Sequence, residues 1–265
     1  MIANVLSIAG NDPSGGAGVS ADLKTFGALG CYGMAVITAV TAQNTCGVSA
    51  VHAIPLAMIE AQLTAVFEDV RVDAIKIGML PGADAVHSVA QCLKKYPKAP
   101  VVLDPVMCSS SGVPLLPTAA LATLRECLLP EVDLLTPNLF EAATLLATTP
   151  ARNEQEMAEQ AIGLLAMGPR WVLIKGGHLG GASSPDLLAG AEGTTWLRGK
   201  RVMTQNDHGT GCTLSAAIAA LLTRAAMVKA TSQAKRYLEG ALVGSDALSV
   251  GCGRGPLQHF WTSPP

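Results

Sequence analysis

Short, largely apolar runs alternate with helically spaced segments along the chain, and this alternation narrows the possible folds more than any other feature. The runs at 5–9, 35–42, 72–77, 100–103, 132–135 and 171–174 have strand length, and most end beside glycine, a carboxylate or an amide. Between them, 21–29, 58–70, 83–93, 121–128 and 154–165 carry apolar residues at helical spacing, and 232–249 reads as a last helix. The expected class is therefore α/β with a mainly parallel sheet. No linker, low-complexity stretch or internal repeat interrupts the pattern, so 1–265 reads as one domain. In open parallel sheets ligands bind outside the carboxyl ends of the strands, which makes the polar strand ends the candidate site.

The most informative stretch is 207–222, DHGTGCTLSAAIAALL. Gly209 and Gly211 precede a run of small and apolar residues, a glycine loop feeding a helix. The first N–H groups of that helix lack partners inside it, and they lie at the positive end of its dipole. Together they form an anion site that glycine lets a phosphate approach closely. Cys212 falls in the same turn, where a thiol is expected to have a lowered pKa and to act as base or nucleophile. The alternative is a glycine-capped structural helix carrying a buried cysteine.

Other strand ends add candidates, each with a plainer reading beside it. Residues 16–21 fit G-x-G-x-x-A, but no carboxylate stands about 20 positions on, which removes the case for a nicotinamide cofactor. Asp12 and Asp22 flank these glycines and read as caps or solvated charges unless partnered. Gln43 offers a donor and an acceptor that suit a heterocycle edge, or it ends a strand in a turn. Asp104 closes the run at 100–103. Asn138 and Glu141 share one helix face, either near a metal–water cluster or as a capping box. Lys175, beside Gly176 and Gly177, suits a phosphate contact. Residues 186–205 suggest a hairpin flanking a nucleotide, 107–115 a mobile flap, and 251–261 a glycine-rich tail.

Charged residues make up 14% of the chain and the net charge is −2, which argues against a nucleic-acid partner and leaves a modest polar surface. No apolar stretch approaches membrane-spanning length, and the N-terminus lacks the basic region of a signal peptide. Seven cysteines stand singly without a CxxC pair, pointing to a reducing cytoplasm rather than a disulfide framework or zinc site.

Taken in order, AGNDPSGGAG (9–18), ADLKTF (21–26), YGM (32–34), ITAVTAQNT (37–45), KIGML (76–80), LDPVM (103–107), LTPNLFEA (135–142), IKGGH (174–178), HGTGCTLSAA (208–217) and GPLQHFW (255–261) resemble the hydroxymethylpyrimidine and phosphomethylpyrimidine kinases of thiamine biosynthesis. Those enzymes belong to the ribokinase-like superfamily, and the resemblance implies a three-layer αβα sandwich and a likeness running almost end to end. It also implies an ATP- and Mg²⁺-dependent kinase acting on an aminopyrimidine alcohol and then on its monophosphate. The amides of Gly209, Thr210, Gly211 and Cys212 would face the γ-phosphate, with Cys212 the catalytic base. Asp104, Asn138 and Glu141 would organise Mg²⁺ through water, and Lys175 would meet the nucleotide phosphates near Asp207. Asp22, Gln43 and Met79, with backbone near Val106, would form the pyrimidine pocket. The superfamily and the low charge content point to a homodimer. The chain departs from the family at Ser110 (usually lysine), Asp207 (usually threonine) and Cys252 (usually histidine), which reads as tuning rather than loss of activity. Asp207 would disfavour a triphosphate if it pointed inward. The competing readings are a pyridoxal or pyridoxine kinase and a non-catalytic pyrimidine-binding protein.

Overall fold

Along each central strand, successive residues face opposite layers, as the two-residue period of a strand requires. Leu6, Ile8, Ile75, Ile77, Val101 and Leu103 enter one apolar core, while the intervening Val5, Ala74 and Val102 enter the other. Both faces are covered, which is why these runs are nearly continuously apolar. The computed structural model describes residues 1–96, 98–109 and 112–262.

In chain order the elements are β1 (Asn4–Asn11), α1 (Gly18–Ala28), β2 (Tyr32–Asn44), β3 (Gly47–Ala53), α2 (Leu56–Asp69), β4 (Ala74–Ile77), α3 (Ala83–Lys95) and β5 (Val101–Leu103). They continue with α4 (Ala120–Thr123), β6 (Leu134–Leu135), α5 (Leu139–Leu146), α6 (Glu154–Leu165), β7 (Trp171–Ile174), β8 (Asp186–Gly190), β9 (Gly193–Leu197), α7 (Thr210–Leu222) and α8 (Met227–Val243). The nine strands of the described residues form one sheet, in the order β3-β2-β1-β4-β5-β6-β7-β8-β9. The strands from β2 to β7 pair in parallel, while β3, β8 and β9 join antiparallel at the two edges. Helices α2 to α6 pack on one face, and α1, α7 and α8 on the other. The result is a three-layer αβα sandwich. The alanine-rich run of α7 is buried from Thr213 to Leu221, because small side chains let that helix lie close on the sheet.

Several boundaries differ from the sequence reading. The helix expected over 121–128 is one turn of α4 followed by a wider turn, Leu124–Leu128, whose continuation Pro130 curtails. The last helix begins five residues earlier than its apolar pattern suggests. β3 carries no apolar signature, since most of its side chains are exposed at the sheet edge. The expected hairpin is present as β8 and β9. Among the described residues no helix is long and apolar enough to cross a membrane.

Candidate active site

The chain leaves β1, β4, β5, β6 and β7 at one end of the sheet. With the start of α7, these exits line a cavity of about 750 Å³. Strand order reverses about β1, whose neighbours β2 and β4 lie on opposite sides, and such a reversal opens a crevice.

At one part of this cavity lies the glycine loop. Gly209 caps α7 with φ +84°, and a side chain there would collide with the Gly16 carbonyl. The Thr210 N–H bonds the Asp207 carbonyl at 3.3 Å, so Gly211 and Cys212 carry the first amides that the helix leaves without an acceptor of its own. A methyl group on Gly211 would stand 3.2 Å from Lys175 Nζ and 3.3 Å from Asp104 Oδ2, so the helix start abuts a charge cluster. Lys175 Nζ lies 2.6 Å from Asp104 and 3.8 Å from Glu141. Burial works to lower the Lys175 pKa, but these two carboxylates outweigh it and hold the ammonium charged. Burial pushes the Glu141 carboxyl up to about 7 against the pull of Lys175.

Asn138 is the N-cap of α5. Its amide oxygen accepts the Phe140 and Glu141 N–H groups, both at 2.9 Å, and Glu141 accepts the Asn138 N–H at 2.7 Å. The capping-box reading therefore holds: the Asn138 amide oxygen is bonded twice as a cap, while Asn138 still lines the cavity beside Glu141. Asp104 and Glu141 remain as hard oxygens facing the cavity. Their chemistry fits a magnesium ion that keeps most of its water. Among the described residues no group of three or more His, Cys, Asp or Glu is placed to hold a metal directly.

Cys212 opens on the cavity, yet the protein packed around its sulfur pushes the thiol up to about 11. Nearby Lys76 and a hydrogen bond from the Gly18 backbone pull the other way, while Asp22 and Asp104 add to the rise. The lowered pKa expected from the helix terminus is thus overturned, because desolvation exceeds the pull of the lysine and the amides. Asp22 sits deeper than the pocket wall where the resemblance would put it. It is fully buried, does not line the cavity, and accepts from Lys76 Nζ at 2.8 Å and from Ser7 Oγ at 2.6 Å. Burial raises the Asp22 carboxyl, while Lys76 is held above its usual value by Asp22 despite its own burial. A neutral acid here would strand a lone cation in an enclosed site, so we take the pair as ionised together.

Gln43, Met79 and Val106 also line the cavity. Gly10 lets Met79 approach, for a methyl group there would stand 2.9 Å from the sulfur. Asp12 and His208, neither assigned a site role from the sequence, meet at 2.8 Å, and Gln43 Nε2 lies 3.2 Å from the same ring nitrogen. Asp12 also accepts the Ser14 and Ala17 N–H groups, which folds the glycine turn around its carboxylate. Burial works against ionising Asp12, but the bonds from His208 and Ser14 leave its pKa below the usual value. Asp207 does not stand as a bare charge: Arg254 donates to both its oxygens at 2.7 and 2.6 Å. Lys235 of α8 and Asp186, the first residue of β8, pair at 2.6 Å and also line the cavity. Ser110 lies outside the described residues, as does part of the 107–115 flap.

The model of the phosphomethylpyrimidine kinase family matches residues 12–258. The chain belongs to this family. It is 56% identical to the hydroxymethylpyrimidine/phosphomethylpyrimidine kinase of Escherichia coli over 97% of each chain. Among solved structures, a Clostridium difficile phosphomethylpyrimidine kinase matches 91% of this chain and 99% of its own, with TM-score 0.80 and 40% identity. A Bacillus subtilis pyridoxal kinase solved as an ADP complex matches 98% of each chain, with TM-score 0.89 and 34% identity. The fold is ribokinase-like and the protein is a kinase. Within this site, the residue the sequence reading most clearly passed over is Lys76. A charge inside the buried run AIKI needs a partner, and that was the available signal.

Proposed function

We propose that the chain transfers the γ-phosphoryl group of ATP to 4-amino-5-hydroxymethyl-2-methylpyrimidine, and then a second one to the monophosphate, in thiamine biosynthesis. The observation that carries this reading is the helix start at Gly211 and Cys212 abutting the Asp104–Lys175 pair, in one cavity with Gln43 and Met79. Phosphoryl transfer needs positioned donors and cations around the moving charge, and little else from the protein. The amides of Gly211 and Cys212 and the Lys175 ammonium would stabilise that charge. Magnesium held through water by Asp104 and Glu141 would neutralise phosphate charge. Gln43 would read the pyrimidine edge with Met79 against the ring and the Val106 backbone beside it. Cys212 would take the hydroxyl proton as the oxygen attacks phosphorus. With its thiol near 11, that sulfur is a strong but scarce base at neutral pH. A homodimer fits the low charge content, and a reducing cytoplasm fits the seven cysteines that stand without a CxxC pair.

The test is ADP release with ATP and Mg²⁺, offering the alcohol, its monophosphate and pyridoxine in turn. Turnover of both pyrimidines is expected, and silence on both would sink the proposal. Turnover of pyridoxine alone would favour the second reading, a pyridoxal kinase, which the similarity to the Bacillus subtilis enzyme keeps in view.

A further inference from the structure

Cys46 lies in the turn between β2 and β3, and Cys252 lies in the C-terminal segment, 206 residues away. Both are exposed, and their sulfurs stand 3.5 Å apart, in van der Waals contact. Backbone bonds hold the two segments together independently of the thiols. The Arg254 N–H donates to the Thr45 carbonyl at 2.9 Å, and the Gly253 N–H to Thr45 Oγ1 at 3.1 Å. Gly251 and Gly253 on either side of Cys252 are required for this approach, since a side chain at either would collide with Thr45. The next residues run on to the glycine loop. Arg254 grips Asp207, and the Gly255 carbonyl accepts the His208 N–H at 3.0 Å.

We propose that Cys46 and Cys252 form a reversible intramolecular disulfide that staples the β2–β3 turn to the C-terminal segment bracing residues 207–208. The oxidant is a low-molecular-weight disulfide of the glutathione class. One protein thiolate attacks a sulfur of that disulfide, forming a mixed disulfide and releasing the first small thiol. The second protein thiolate attacks the protein-side sulfur, the mixed bond breaks and the second small thiol leaves. The two protein thiol protons end on the two released thiols, the protein loses two electrons, and the small disulfide gains them. The attacking species is a thiolate, so exchange quickens as pH rises. The bond closes a junction already in contact, so it locks this geometry rather than displacing it. Turnover is retained and the unfolded chain is restrained across a long loop. No substrate assignment enters this inference, so it stands or falls separately from the proposed reaction.

The experiment incubates the full chain with excess oxidised glutathione at about pH 8, then maps peptides and records thermal unfolding before and after dithiothreitol. Expected are a peptide linking Cys46 to Cys252, lighter by two hydrogens, and a Tm raised by about 5 °C or more that the reductant reverses. Cys46→Ser and Cys252→Ser should each unfold where the reduced protein does, which shows that they fold, and should gain neither the link nor the rise. Their remaining cysteine should retain one glutathione. Separate glutathione adducts on both cysteines of the unaltered chain would overturn the proposal. So would a linked peptide without a Tm shift, or the same shift in Cys252→Ser.

Discussion

A thiol at a helix start feels two opposing influences, amides that stabilise its anion and packed protein that excludes water from it. At Cys212 the second prevails and the thiol rises to about 11. If Cys212 is the base, kcat/KM for the pyrimidine alcohol should climb with pH from 7 to 9 without a plateau, and Cys212→Ala should be flat over that range. Cys212→Ala should also reduce kcat by roughly 10²-fold or more while leaving pyrimidine affinity nearly unchanged. An unaltered kcat would leave the amides and Lys175 to account for the reaction. Asp22 raises a different question, because its carboxylate faces Lys76 rather than the cavity. Removing one partner of a buried pair leaves the other uncompensated, so Asp22→Asn should destabilise the fold by about 3–5 kcal/mol. A higher KM at unchanged Tm would instead mean that Asp22 contacts substrate.

The start of α5 shows how one local motif can be mistaken for another. The spacing of Asn138 and Glu141 suits both a capping box and a pair of metal oxygens, and the hydrogen bonds decide for the box. Asn138→Ala should cost about 1 kcal/mol of stability. Magnesium dependence of turnover should shift less than for Glu141→Gln, and an equal shift would return Asn138 to the metal. The segment entering α7 is similarly held from outside itself. Arg254→Ala should raise the KM for ATP by exposing the Asp207 carboxylate beside the anion site. Asp207→Thr alone should leave it unchanged or lower, and the double variant should resemble Asp207→Thr. Additive effects in this double-mutant cycle would mean that Arg254 does not act on nucleotide binding through Asp207.

Across the molecule, the C-terminal segment closes the face that carries α1, α7 and α8. Leu257 is buried there, and His259 meets Thr213 Oγ1 of α7 at 3.0 Å. Burial lowers the His259 pKa from 6.5 to about 4. The unfolded chain therefore takes up a proton that the folded chain refuses between those values. The contribution is fully present above pH 6.5 and is lost as pH falls toward 4, a drop of about 3 kcal/mol. Urea unfolding at pH 7 and pH 4.5 should show this loss, and His259→Asn should flatten it. An equally steep acid limb in that variant would place the sensitivity elsewhere.

The layered fold was legible because its signals are local. Strand length, helical spacing and glycine at strand ends act within a few residues, and these alone indicate the sheet and the start of α7, while the cap of α5 was one of two readings its spacing allowed. β3 escaped because an exposed edge strand leaves no apolar pattern. What only the tertiary structure decided is which charges meet. Lys76 reaches Asp22 across 54 residues, His208 reaches Asp12 across 196, and Arg254 reaches Asp207 across 47. The Cys212 pKa belongs with these contacts, because desolvation depends on how much protein surrounds the sulfur. A local sequence motif can supply the helix start beside it, but not the packing that encloses it.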